Sequence, residues 1–321
     1  MMLAPTESRS MMIAAAIVIA AFAFAFVAMS TAKMHSNSKK IDHDSTREND
    51  MIISSEHSFS NDLLSATIEK VYLFTFPRVH HVHNISPFSL KVESFLRMNN
   101  IRYEVIPTFK FSPKGQIPYI RLNSKDGPLI ADSNFIIRYL SNQLGLDKVE
   151  KDLLTSNERS VSHAFTRMIE EHTTQIGFYY RYGLNMNKFC SAVIPFNWFD
   201  INGPLTKKGK LFLKFWMFVQ PLGFNKKMRY LSCGRHSDEE KWIISCQDIQ
   251  SISDYLADKT FIFGDSATAL DCTLFGHFAQ FLYIPLDFPQ KRYIHQNCDN
   301  IVQYVERFKE LYWKDHWDSA F

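Results

Sequence analysis

Two serines around a proline, Ser86-Pro87-Phe88-Ser89, stand between two apolar runs. The first, Val71-Tyr72-Leu73-Phe74-Thr75-Phe76, reads as a strand, and the second, residues 90–98, carries apolar residues at helical spacing. A helix that starts at Ser86 offers unpaired N–H groups and the positive end of its dipole to whatever lies above it. Such a place pushes a bound thiol toward thiolate, and a serine hydroxyl can donate a hydrogen bond to the sulfur. Two serines cannot form a disulfide. The segment therefore reads as a thiol-binding site and not as a dithiol redox centre, with Ser86 as the candidate catalytic side chain.

Two further segments can grip an extended ligand. In Gly115-Gln116-Ile117-Pro118-Tyr119-Ile120-Arg121-Leu122 a proline begins an apolar strand. A cis bond there would turn the Ile117 backbone outward to pair with a peptide. After a hairpin partner at Gly127-Pro128-Leu129-Ile130, Asp132-Ser133 caps a helix, Asn134-Phe135-Ile136-Ile137-Arg138-Tyr139-Leu140. Its first amides suit a ligand carboxylate, and the Asp132 carboxylate suits an ammonium. Each signal alone is weak, since Asp-Ser before a helix is ordinarily only a cap. Their order and spacing single out Ile117, Pro118, Asp132 and Ser133 as ligand-binding candidates.

The elements that must position these residues alternate strand, helix, strand (Ile101-Arg102-Tyr103-Glu104-Val105-Ile106), then two strands and a helix. Beyond residue 150 the chain reads as mostly helical. Thr268 followed by Asp271 is a capping box before an apolar helix, which gives Asp271 a structural role. Residues 183–231 are aromatic and basic, and read either as a hydrophobic substrate wall or as core helices or a membrane-proximal face. His80, His81 and His83 bring three imidazoles into one loop, but no cysteine or carboxylate completes a metal set beside them. The loop reads as exposed and polar, and no metal is expected. Tyr72 and Cys272 read as packing residues.

The 321 residues are 46% hydrophobic and 14% aromatic, enough for one or two packed domains. A net charge of +3 without a basic block excludes a nucleic-acid partner. Five cysteines, odd in number and with no CxxC pair, fit reduced thiols. Residues 11–29 are uncharged and long enough, at about 1.5 Å per residue, to reach across roughly 30 Å of hydrocarbon. They predict a single-pass membrane anchor within residues 1–32, followed by a polar tether over 33–68. Lys33, Lys39 and Lys40 favour folded domains on the cytosolic side. A cleaved signal peptide, with Ala28-Met29-Ser30 at its end, is the alternative.

The arrangement resembles the thioredoxin-like N-terminal half of a glutathione transferase, and more closely the failed-axon-connections family. That family includes nematode cadmium-responsive proteins and is related to the metaxins. The resemblance rests on Phe76-Pro77-Arg78, Ser86-Pro87-Phe88-Ser89-Leu90-Lys91-Val92-Glu93, Lys114-Gly115-Gln116-Ile117-Pro118 and Ala131-Asp132-Ser133-Asn134-Phe135-Ile136-Ile137. Further matches are Gly234-Arg235-His236-Ser237-Asp238-Glu239-Glu240, Cys298-Asp299-Asn300-Ile301 and Tyr312-Trp313. It implies an α/β thioredoxin-like domain at 69–146 and an all-α domain like that of glutathione transferases at 150–321, after the transmembrane helix. It further implies glutathione or a related thiol as ligand, modest transferase activity if any, and a link to detoxification or metal stress. The alternative it leaves is a non-catalytic, metaxin-like interaction module at a membrane, acting through protein partners or a homodimer in axon development. Family members commonly carry Ser-Pro-Phe-Cys, where this chain has Ser89.

Overall fold

Residues 62–321 form one compact unit, the second of two along the chain. The computed structural model describes residues 67–195, 221–222, 224–226, 228–314 and 317, all in the second unit. The apolar, β-branched and aromatic run Val71–Thr75 forms a strand (β1) whose burial alternates, with Val71, Leu73 and Thr75 buried on one face. A crossover helix, Pro87–Met98 (α1), leads to a parallel strand, Tyr103–Pro107 (β2). Tyr119–Leu122 (β3) then returns antiparallel along the other edge of β1, and Leu129–Ala131 (β4) pairs with it. The order β2-β1-β3-β4, closed by helix Ser133–Gln143 (α2), is the thioredoxin-like arrangement the sequence predicts.

Helices make up the rest. Leu146–Leu153 (α3) is followed by Ser156–Met168 (α4), which continues into a π-helical segment, Ile169–Thr173. A short α5 (Thr174–Phe178), a second π-helical segment (Tyr179–Leu184) and α6 (Met186–Val193) come next. Asp238–Leu256 (α7), Ala269–Tyr283 (α8), Pro289–Asn297 (α9) and Asp299–Tyr312 (α10) complete the described helices.

Helix α8 is the centre of this half. Its residues from Leu270 to Leu282 are all buried, the polar Asp271, His277 and Gln280 among them, as expected of a mostly apolar helix at the middle of a core. The carboxylate of Asp271 accepts from Thr268 N (2.7 Å), Thr268 Oγ1 (2.8 Å), Ile262 N (3.0 Å) and Tyr304 Oη (3.0 Å). Those four donors explain how a carboxylate survives there, although burial still pushes its pKa up. Gly276 lets α8 lie against α1: a Cβ at that position would stand 2.7 Å from Pro87 O and 2.8 Å from Lys91 N. After α10 the chain returns to α1, where the buried Trp313 donates from Nε1 to Ser94 Oγ at 3.1 Å.

Two expectations change. The single-pass, membrane-anchored localisation is corrected, because no helix among the described residues is long and apolar enough to cross a membrane. The most apolar of them, α8, has fifteen residues and spans only about 22 Å. Residues 11–29 lie outside the described residues. The loop of three histidines is not wholly exposed either. His83 adopts φ 64° and is buried, its ring edge-on to Trp313 (4.8 Å) and stacked on Trp317 (5.6 Å). Among the described residues no group of three His, Cys, Asp or Glu is placed to hold a metal ion. Cys272 is fully buried, and burial pushes its thiol pKa well up.

Candidate functional site

Ser86 caps α1 from an extended conformation, with Pro87 in the first turn, where a missing N–H costs nothing. Its Oγ accepts from Ser89 N at 3.3 Å. Among the described residues its own proton has no acceptor, so it remains available to a ligand. The approach to Ser86 is set by Asn84, which is fully buried. Asn84 Oδ1 accepts from Ser86 N at 2.9 Å, while Nδ2 donates to Thr75 Oγ1 (3.0 Å) and Phe76 O (2.9 Å). The turn before the helix is thereby tied to the end of β1.

The Ile117–Pro118 peptide is cis, immediately before β3. Asp132 has φ 82° and caps α2 through Oδ1, which accepts from Asn134 N at 2.9 Å and Phe135 N at 3.3 Å. Gln116 Nε2 donates to the other oxygen at 3.2 Å. A cleft of about 480 Å³ brings all five predicted residues, Ser86, Ile117, Pro118, Asp132 and Ser133, onto one side. Ser89 is not among its lining residues. It is fully buried, and its Oγ has no hydrogen-bond partner among the described residues. The fourth residue of Ser86-Pro87-Phe88-Ser89 is thus not on the cleft wall.

The opposite wall comes from the helical half, and the sequence pattern does not specify it. Phe178 and Tyr182 give it aromatic faces, and Glu170 gives it a carboxylate. Glu170 belongs to the first π-helical segment, a geometry that recurs at functional sites. Its Oε1 accepts from Lys91 Nζ at 2.7 Å and its Oε2 from Asn134 Nδ2 at 2.7 Å. Lys91 Nζ also donates to Asn134 Oδ1 at 2.6 Å. Burial lowers the Lys91 pKa, and the neighbouring Glu170 works against that shift without cancelling it. Beside the pair, His277 has Nδ1 2.6 Å from Thr174 Oγ1, and burial, then Lys91, holds its pKa well below the ordinary value. One charged network therefore ties α1, α2 and the helical half together behind the cleft. Nothing in the sequence marks Lys91 or Glu170 as partners, since 79 residues separate them.

Comparison with known proteins agrees with the two-domain organisation. Residues 87–188 match the family model for the glutathione S-transferase N-terminal domain, and residues 246–308 match that for the glutathione S-transferase C-terminal domain. The chain belongs to the glutathione S-transferase-like family. It is 32% identical to Failed axon connections of Drosophila melanogaster over 266 residues, 78% of this chain and 59% of that protein. The chain thus spans less than two thirds of that relative's length. It is 29% identical over 248 residues to the isoprene-epoxide–glutathione S-transferase of Rhodococcus sp. strain AD45, covering 72% of this chain and 94% of that enzyme. Among solved structures, a glutathione S-transferase of Ceriporiopsis subvermispora, crystallised in complex with glutathione, is 16% identical. That alignment covers 76% of this chain and 97% of the other, with a TM-score of 0.46.

Proposed function

We propose that the cleft binds glutathione or a related thiol and that the protein is a glutathione transferase of modest activity. The sulfur lies at the N-terminus of α1, where the helix field favours thiolate and Ser86 donates its hydroxyl proton to it as a hydrogen bond. The Ile117 backbone pairs with the peptide, and Asp132 and Ser133 take the γ-glutamyl end. The thiolate attacks a carbon of an electrophile held against Phe178 and Tyr182. As the C–S bond forms, a leaving group departs with the C–X electron pair, or an epoxide C–O bond opens to an alkoxide that takes a proton from water. The thiol proton leaves to water before the attack, so no side chain need carry it. The observation that carries this reading is the convergence of two helix N-termini and a proline-led strand edge on one cleft. The similarity to a relative named for joining an epoxide with glutathione favours turnover over binding alone.

Calorimetry with glutathione is the first test. Binding is expected by millimolar concentration, and its absence there overturns the proposal in favour of a non-catalytic interaction module. Conjugation of a generic electrophile is the second. Ser86→Ala is expected to lower the rate by about tenfold or more, with an accompanying stability loss of about 1 kcal/mol from the missing cap. An unchanged rate would remove Ser86 from the chemistry.

A further inference from the structure

Arg181, in the second π-helical segment, is 2% exposed and has no carboxylate partner among the described residues. A buried guanidinium without a counter-charge is costly, so the groups that do meet it are informative. Nη1 donates to the carbonyl of Ile85 at 2.8 Å and to Tyr182 Oη at 3.3 Å, and Nη2 donates to Gln280 Oε1 at 3.0 Å. Nε is buried with no hydrogen-bond partner among the described residues. The rings of Phe189, Tyr182 and Phe178 surround the guanidinium at 5.0, 5.4 and 5.5 Å. Ile85, Phe178 and Tyr182 all line the cleft.

Gln280 completes the arrangement. Its Nε2 donates to the carbonyl of Asn84 at 3.0 Å, and Asn84 in turn orients the Ser86 amide. The helical half thus holds the carbonyls of both residues that precede Ser86. The other charged groups around the cleft are already engaged. Lys91 is matched by Glu170, Arg167 by Glu171, and Asp132 by the α2 amides. Arg181 is a buried cation behind this wall with no such match.

Resting on the thiol-binding reading of the cleft, we propose that Arg181 is a positioning residue for the thiol site. With Gln280 it fixes the turn over 84–86, and its unmatched charge behind the wall favours an anionic sulfur over a neutral thiol. Charge–charge effects are stronger in such a dry interior than in water. This role is distinct from packing, because it predicts a change in the ionisation of the ligand.

The test titrates the thiol of bound glutathione by the ultraviolet absorbance of the thiolate, on the full chain and its variants. Arg181→Gln is expected to raise that pKa by about one unit, leaving about tenfold less thiolate at neutral pH. Calorimetry still detects glutathione in this variant, and the conjugation rate recovers as pH rises. Arg181→Lys restores the charge and most of the shift. Gln280→Glu retains the side chain's size and gives the guanidinium a carboxylate, so it too raises the thiol pKa. This variant carries the test if Arg181→Gln does not fold. An unchanged thiol pKa in the folded variants, with the wild-type complex titrating normally, overturns the role of Arg181 alone. A wild-type protein that binds no glutathione overturns the reading of the cleft, and this inference with it.

Discussion

On one side of the cleft, Ser86, Ile117–Pro118 and Asp132–Ser133 present helix-end amides, a strand edge and short polar side chains. Ser86 accepts from Ser89 and its amide is oriented by Asn84, and Asp132 is held by Asn134 and Phe135, all close in sequence. On the other side, Glu170 pairs with Lys91, 79 residues away, and Arg181 donates to Ile85 and Gln280, 96 and 99 residues away. The first wall is made by local chain geometry, and the second by long-range pairing of buried polar groups. Local geometry tolerates loss of a side chain at modest cost. Buried pairing does not, because removing one partner strands the other without solvent.

This contrast makes a ranked set of expectations. Lys91→Met leaves the Glu170 carboxylate buried and unpaired, and should cost about 3–5 kcal/mol in urea unfolding. Adding Glu170→Gln should recover part of that loss. Additive costs in the double variant would show that the two side chains do not act as a pair. Next comes Gly276→Ala, whose methyl would meet the α1 backbone at Pro87 and Lys91. A stability loss of about 1–3 kcal/mol is expected, with a lowered glutathione affinity because α1 carries Ser86. Stability lost with affinity intact would separate the helix contact from the site.

A pH effect follows in size. Glu93 is fully buried, and burial pushes its pKa up. Arg78, through its charge and a two-pronged contact, together with His83 and Arg97 outweighs burial and holds the carboxyl below the ordinary 4.5. A carboxyl depressed in the folded state contributes stability that is complete above its unfolded value and is lost as pH falls through its folded value. Urea midpoints should therefore drop as pH falls below about 4.5, and Glu93→Gln should flatten that part of the curve. A variant with an unaltered acid limb would assign the acid sensitivity elsewhere. The smallest effect is expected at Ser89, whose hydroxyl is buried without a partner among the described residues. Ser89→Ala should be neutral or stabilising by up to about 1 kcal/mol, with no loss of glutathione affinity.

The same contrast explains what the sequence reveals. The apolar run at 71–75, the proline at 118 and the serine and aspartate caps act within a few residues, so the order of strands and helices and the residues of the first wall can be read from the pattern, while the thioredoxin-like fold comes from the family resemblance. The capping box at Thr268–Asp271 is legible for the same reason. Lys91 sits in an apolar helical run and looks like a solvated charge, because its partner arrives from another helix. The π-helical segments over 169–184 have the composition of ordinary helix and carry no spacing signal of their own. The burial of His83 leaves no trace in the pattern, because a single residue with positive φ turns it under Trp313, which lies far along the chain.

The contact between Trp313 and Ser94 spans 219 residues. On a ribosome adding about 5–20 residues per second, the face of α1 that receives the indole stays uncovered for about 10–45 s after it is made. Throughout that interval the nascent thioredoxin-like half displays an apolar surface with no final partner. Any shielding of this face during synthesis would have to last until the tryptophan emerges.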